Sequence, residues 1–339
     1  MSILILTRSD DNESVAMVTR AIEARGERVI RLDSDRYPTD LRLSMDLDPA
    51  GHRTTMRVGN AAFELGEVRS IWLRRHHIAA ALPTDMDAQL RAGAVAESRA
   101  ALFGLLGSLD AFWMDPLPVI RWAGQKPLQL KLAQELGLLV PRTLITNDPD
   151  RAREFARDCP GGVVAKMLSS FRVLDDGIEK VVFTTPVTEA HLEQVSGLRW
   201  SPMTFQQRVR KKLELRVTIV GQRVFAAAVD SQAFERATED WRRDGLAMLD
   251  AWRPYALPAG VERRLLALMS RLELNYGAVD IIVTPDDEHV FLEVNPSGEF
   301  FWLERCPGLP ISDAIADVLT GRAARCLRVA YDRAAGAPL

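Results

Sequence analysis

Cysteine is scarce in this chain. Cys159, Cys306 and Cys326 are the only three in 339 residues, and no two of them have the spacing of a zinc or redox motif. That excludes a disulfide-stapled fold, and free thiols in a reducing cytoplasm are the expectation. Charge of one sign is also missing, because 43 basic and 46 acidic side chains give a formal net charge of −3 with no polybasic tail. A nucleic-acid partner is therefore not expected. Long apolar runs are absent too. The opening Met1-Ser-Ile-Leu-Ile-Leu-Thr-Arg is short and is followed by Asp10 and Asp11, so it reads as neither a signal peptide nor a membrane span. The glycine-rich phosphate loops of kinases and P-loop enzymes do not occur, nor does any internal repeat.

What is present is an ordinary globular composition, with 47% apolar and 26% charged residues over a length that suits two or three lobes. The apolar run Ile3–Leu6, a helical stripe from Ser14 to Arg25 that stops at Gly26, and Val29–Leu32 form a β-α-β opening. Such an opening predicts a parallel sheet whose functional edge lies at the strand C-termini. Alternating segments at Leu41–Leu47 and Thr54–Val58, then Ile71-Trp-Leu, complete the sheet, and a helix follows from about Met86 to Leu106. Pro116, Pro118 and the stretch around Trp122 read as a connection, which sets a first domain at 1–122.

A second, smaller lobe is expected at 123–205. It has a helix from Pro127 to Leu136, an extended run to Thr146, a helix Arg151–Arg157 capped by Asn147 or Asp148, and a strand Val163–Leu168 whose hairpin partner is Val181-Val-Phe-Thr-Thr. A small lobe of this kind suits a mobile lid. The third lobe, at 206–330, begins with the strand Met203–Val209. It contains Leu213–Val220, Arg223–Val229, the helix Glu262–Leu272, and a hairpin of Val279–Val283 with His289–Val294.

Three constellations carry chemistry. Asp280 and Glu293 interrupt strands that are otherwise apolar on both sides, and a buried carboxylate is costly unless it is paired or bound to a cation. With the Asn295 amide oxygen they form a hard oxygen set suited to magnesium; a pair of carboxylates satisfied by arginines is the alternative. Lys166 lies inside the apolar strand and needs a counter-charge such as triphosphate oxygens, whereas Lys131 sits on an amphipathic helix, where a solvated lysine is the ordinary case. Gln206, Gln207, Arg208 and Val209 form an extended hinge whose backbone can meet a purine edge, and Glu214 can accept from a ribose hydroxyl; an ordinary polar sheet face is the competing reading.

This order of features, from the helix bearing Lys131 through Glu293-Val-Asn295, resembles the ATP-grasp superfamily over about Lys131 to Glu299. A narrower resemblance covers nearly the whole chain. Leu32-Asp-Ser-Asp-Arg-Tyr-Pro, Ile71-Trp-Leu-Arg-Arg, Lys211-Lys-Leu-Glu-Leu-Arg-Val, Val229-Asp-Ser-Gln, Asp240-Trp-Arg242 and Asn295-Pro-Ser-Gly-Glu-Phe are similar to the graspetide or microviridin-type ligases, which cyclise ribosomal peptides. Two departures are Gln207-Arg208, where Glu and an aromatic residue are expected, and the missing proline after Arg74-Arg75.

The resemblance implies an α/β fold of ATP-grasp type, with an N-terminal parallel α/β pre-grasp domain, a central lid lobe and a C-terminal α+β lobe. It implies a cytoplasmic, homodimeric ligase that uses ATP and Mg²⁺ on a precursor peptide consisting of leader and core, with no nucleic acid and no membrane. Aspartate or glutamate side chains would be phosphorylated and joined to threonine, serine or lysine side chains. In that reading Lys131 and Lys166 clamp phosphates and Arg216 meets the transferring phosphoryl group. Arg74, Arg75 and Arg242 hold acidic core residues, because guanidinium binds carboxylate in two-pronged fashion. Leader docking implies the region Phe171–Ser196, with Arg172, Glu189 and Glu193 as candidates. His77 suits proton removal or a surface role. The competing functions are a ligase acting on a small amino acid or a protein tail, and a non-catalytic nucleotide- and leader-binding scaffold.

Overall fold

Strand β1 (Ser2–Thr7) is buried along its whole length because both of its faces are covered. In the computed structural model, which describes residues 2–11, 13–168, 172–175, 178–181, 183–234, 247–326, 331–332 and 337–338, Ile3 and Ile5 face one hydrophobic cluster and Leu4 and Leu6 another. A strand buried on both sides reads as a continuous apolar run, which is why Ile3–Leu6 does not alternate. The first cover is α1 (Glu13–Glu23), through Val15, Val18 and Ile22. Parallel pairing joins β1 to β2 (Arg28–Asp33).

The segments β3 (Leu41–Asp48), β4 (Gly51–Val58) and β5 (Ala61–Glu64) form a separate antiparallel sheet, a correction to their expected place in the parallel one. The parallel sheet continues with β6 (Val68–Leu73), which pairs with β1 on the side away from β2. Leu102 and Leu106 of α2 (Ala88–Gly107) cover its second face, and the Asp87 side chain caps that helix by accepting from the amides of Gln89 and Leu90. With β7 (Phe112–Trp113) the order is β2-β1-β6-β7. The direction of strand addition reverses between β1 and β6, so the crevice beyond their C-termini is the topological switch point where α/β sheets bind ligands.

The expected connection around Trp122 contains a helix, α3 (Leu117–Ala123). Pro116 and Pro118 sit at its cap and first turn, where a missing N–H costs nothing, so they start the helix rather than break it. Next come α4 (Lys126–Glu135), β8 (Thr143–Thr146), α5 (Pro149–Arg157, capped by Asp148) and β9 (Val163–Lys166). The antiparallel pairing expected between β9 and Val181–Thr185 holds only at Thr185, opposite Ala165, whereas Val181 pairs elsewhere. β10 (Arg172–Asp175) pairs with β11 (Ile178–Val181), and β9 pairs with β12 (Thr185–Pro186). After α6 (Glu189–Glu193), β13 (Met203–Gln207) inserts between β8 and β9, giving the order β12-β9-β13-β8.

The largest described sheet has the order β16-β15-β14-β17-β18, built from β14 (Leu213–Val220), β15 (Arg223–Val229), β16 (Arg253–Pro254), β17 (Tyr276–Val283) and β18 (His289–Asn295). Leu215, Val217, Ile219, Val279, Ile281 and Phe291 turn one face onto α4 and α7 (Ala259–Arg271). Helices α8 (Phe301–Arg305) and α9 (Ile311–Leu319) carry residues of the cluster shared with α1 and β1, so the first sheet and the last are bound to one core.

Candidate functional site

The site forms on the face of the last sheet turned away from α7. Arg216 of β14 stands opposite Asp280 of β17, and Asp280 opposite Glu293 of β18, so a cation and two carboxylates lie in one row across three adjacent strands. Strict alternation would not put Glu293 there. Phe291 and Val294 both belong to the core cluster on the other face, although three positions separate them. The register shift between Asp280 and Ile281 resolves the conflict, since the extra residue in β18 lets Leu292 and Glu293 pass between two core-facing neighbours. Such bulges re-aim side chains next to functional sites.

Arg216 is 5% exposed and donates from Nη1 to Asp280 Oδ1 at 2.8 Å and from Nη2 to the Glu299 carbonyl at 3.2 Å. Burial works against its charge, yet Asp280 more than offsets this and the guanidinium is held above its ordinary value. Asn295 donates from Nδ2 to Asp280 Oδ2 at 3.2 Å, which leaves its carbonyl oxygen for a cation. Lys126 Nζ lies 2.8 Å from Glu293 Oε2 and donates to the Met167 carbonyl at 3.2 Å. Among the described residues no group of three or more His, Cys, Asp and Glu side chains forms a metal site. Two carboxylates and an amide oxygen on one face still match the hard oxygen set that magnesium takes, with its remaining positions filled by water and phosphate.

Lys131 is not brought to this cluster. Its side chain is 72% exposed, 3.8 Å from Glu135. The lysine that reaches the carboxylates is Lys126, at the first position of α4 and about 140° round the helix from Lys131. A cation at a helix N-terminus is disfavoured by the helix dipole, and Glu293 supplies the compensation. The sequence signal for it was a lysine directly before Pro127.

Lys166 stands at the end of β9 opposite Thr204, and Gln206 opposite Val164, so Lys166 and Gln206 share a face of the lid sheet. Gln206 is buried and donates to the Thr143 hydroxyl at 3.0 Å. The strand stops at Gln207, earlier than Val209, because the chain leaves the lid sheet there. The Gln207 amide donates to the Arg142 carbonyl and that of Arg208 to the Gly162 carbonyl, both at 2.9 Å. Arg208 is exposed and Val209 half-buried on the segment that crosses from one sheet to the other. Glu214, the second residue of β14, lies 3.0 Å from Lys211 Nζ. Burial pushes its carboxyl above the ordinary value, against the pull of Lys211 and the Ser231 hydroxyl.

Arg74 and Arg75 follow β6 at the switch point. Arg74 is 2% exposed, donating to the Ser297 carbonyl at 2.5 Å and to Glu299 Oε2 at 2.6 Å, which makes it a buried brace rather than an open contact. Arg75 keeps 39% of its side chain exposed, with Nη2 2.9 Å from Glu299 and Nε 3.7 Å from Asp11. His77 is exposed. Arg242 lies outside the described residues, as does the side chain of Arg172. Glu189 and Glu193 are exposed at the two ends of α6. Beneath that helix, a cavity of about 430 Å³ is lined by Phe183, Leu192, Val195, Leu198, Met203 and Phe205 among others. Sequence reasoning gave no role to Glu299, Ser14, Tyr276 or Gly298, which lie together behind Arg216.

Residues 2–121 match the family model of the MvdD pre-ATP-grasp domain. An ATP-grasp ligase from Chryseobacterium gregarium, associated with ribosomally made modified peptides and solved with ADP and a leader and core peptide, is 40% identical. It aligns over 97% of this chain and 99% of its own with a TM-score of 0.92. The macrocyclase MdnC from Microcystis aeruginosa, solved with the precursor peptide MdnA, is 43% identical over 95% of this chain and 100% of its own, with a TM-score of 0.86. MdnB, a macrocyclase from the same organism, is 37% identical over 94% and 98%, at 0.79. No curated protein sequence matches. No helix among the described residues is long and apolar enough to cross a membrane. With identities at this level across nearly its full length, the chain belongs to the graspetide family of ATP-grasp ligases, the macrocyclases of ribosomal peptides.

Proposed function

We propose that this protein phosphorylates aspartate or glutamate side chains of a precursor peptide with ATP and joins each to a threonine, serine or lysine side chain of the same peptide. The observation that carries this reading is the row Arg216, Asp280, Glu293 with Asn295 beside it, in a chain whose relatives were solved with precursor peptide or with ADP and peptide. A carboxylate cannot expel oxide, so it first takes the γ-phosphoryl group; attack by a hydroxyl or amine on the acyl phosphate then releases phosphate. Magnesium on Asp280, Glu293 and Asn295 would neutralise phosphate charge. Lys126 and Lys166 approach phosphates from the lid side, with Lys126 taking the part first expected of Lys131. Arg216 stabilises the transferring group, and the segment from Gln206 to Val209 with Glu214 holds the adenosine.

Arg75 is the exposed guanidinium suited to an acidic core residue, with Arg242 as its expected companion. The cavity beneath α6 suits apolar side chains of the leader, with Glu189 and Glu193 at its rim. We read three lobes, at 1–122, 123–205 and 206–330; the pairing of β13 with β8 and β9 supports keeping residues up to 207 with the second. A homodimer in the cytoplasm completes the reading.

The test mixes purified protein with ATP, magnesium and a leader-bearing acidic core peptide. ADP release together with the loss of one water per ring is expected. ADP release without mass loss refutes the cyclising role, and absence of both refutes the ligase.

A further inference from the structure

The segment that begins at the metal candidate Asn295 is gripped at three successive carbonyls by side chains from three strands or strand ends. Ser297 O accepts from Arg74 at 2.5 Å, Gly298 O from the Tyr276 hydroxyl at 2.7 Å, and Glu299 O from Arg216 at 3.2 Å. The fit is close. A Cβ on Gly298 would stand 2.4 Å from Ala278 Cβ and 2.7 Å from Arg216 Nη2. The Glu299 carboxylate then reaches across to the first sheet, where it meets the Ser14 hydroxyl of α1, Arg74 Nη2 at 2.6 Å and Arg75 Nη2 at 2.9 Å, while the Phe300 amide donates to it at 3.1 Å. Asp11, itself held by the Thr7 hydroxyl at 2.9 Å, lies 3.6 Å from Arg74 Nε.

Of this network, Arg216 alone belongs to the proposed phosphoryl-transfer site and Arg75 to the proposed substrate contact; Glu299, Ser14 and Arg74 have no part in either, and the core between the two sheets is built from apolar side chains. Trp72, Phe300, Ile311 and Ile315 already bury the contact between the first and last sheets. Four polar partners on one carboxylate are an expensive arrangement to desolvate, and what they fix is the place of Arg216 and the loop after Asn295.

We propose that Glu299 is a positioning residue for phosphoryl transfer: by docking the 295–300 loop onto Ser14, Arg74 and Arg75 it fixes the reach of Arg216 and Asn295 toward the reacting phosphate. The first domain thereby sets the geometry of the row Arg216, Asp280, Glu293 and Asn295, which lies on the last sheet. This rests on the ligase reading above, and two readouts separate the two claims.

The experiment compares the full-length protein with Glu299→Gln, which keeps shape and loses charge, and with Ser14→Ala, which removes one donor from α1. Turnover is followed by ADP release with precursor, and amide hydrogen exchange reports on 296–300. Glu299→Gln is expected to lower kcat about ten- to a hundred-fold, the scale of a small misplacement of reacting groups, with KM for ATP within about threefold of the parent. Exchange in 296–300 rises in the same variant, and Ser14→Ala moves both readouts the same way by less. A parent-like kcat in a folded Glu299→Gln protein overturns the proposal, even if its melting temperature falls, because a purely structural brace behaves in that way. Unchanged exchange in 296–300 overturns it too, and this readout stands if the parent protein releases no ADP, a result that would refute only the ligase reading. Should Glu299→Gln fail to fold, Ser14→Ala decides. A reduced kcat at parent KM supports the role, and a parent-like kcat with parent-like exchange removes it.

Discussion

Replacing Lys126 by methionine removes the ammonium and keeps the stem, and Lys131→Met does the same five residues further along α4. The two variants separate a lysine that reaches the site from one that faces solvent. Lys126 Nζ sits 2.8 Å from Glu293 with the side chains 33% and 20% exposed, so the pair contributes about 1 kcal/mol or less to stability. Its larger effect falls on ATP. A charge-assisted hydrogen bond to phosphate is worth about 1.5–3 kcal/mol, hence about ten- to a hundred-fold in nucleotide affinity. Lys131, 72% exposed and 3.8 Å from Glu135, changes neither quantity measurably on the same reasoning. Calorimetric titration with ADP and magnesium, beside thermal melts of each variant, measures both. The reasoning fails if Lys131→Met weakens ADP while Lys126→Met binds it as the parent does. It also fails if Lys126→Met loses stability alone.

Gly298→Ala forces a Cβ to within 2.4 Å of Ala278 Cβ and 2.7 Å of Arg216 Nη2, so a stability loss of about 1–3 kcal/mol and a drop in kcat are expected from denaturant melts and ADP-release kinetics. Glu214→Gln separates stability from binding. Burial already pushes this carboxyl up, so removing its charge leaves the melting temperature level or higher, while ADP affinity falls about tenfold or more through loss of a charged acceptor. The acid side of the stability profile has a definite sign. Burial opposes ionisation of Glu299 and of Asp35, but Arg74 and the Ser14 hydroxyl at the one and the Ser9 hydroxyl and amide at the other hold both carboxyls below their ordinary values. Folded values below unfolded ones stabilise fully above the unfolded value and are lost as pH falls through the folded one. The melting temperature is therefore level down to about pH 5 and falls below it, and Glu299→Gln shows the shallower fall.

Much of this molecule was legible in one dimension. Ile3–Leu6 and Val15, Val18 and Ile22 announced a parallel β-α-β opening because the doubly buried strand and the helical stripe have different periods. Asp280, Glu293 and Asn295 stood out because carboxylates are costly inside apolar strands, and that argument needs no coordinates. Where proline was read as a break, the sequence could not say which turn of a helix Pro118 occupies, and α3 appeared in its place. Only the tertiary structure decided which face each group uses. A bulge in β18 turns Glu293 to the side of Asp280 while Phe291 and Val294 keep to the core; an extra residue in a ladder leaves no mark on composition or spacing. The choice of Lys126 over Lys131 depends on the rotation of α4 against β18, which packing sets. The grip on Glu299 joins residues 285 positions apart, Ser14 and Glu299. Sequence supplies the hydroxyl and the carboxylate, but closure of the first sheet onto the last, driven by burial of their shared apolar faces, makes them neighbours.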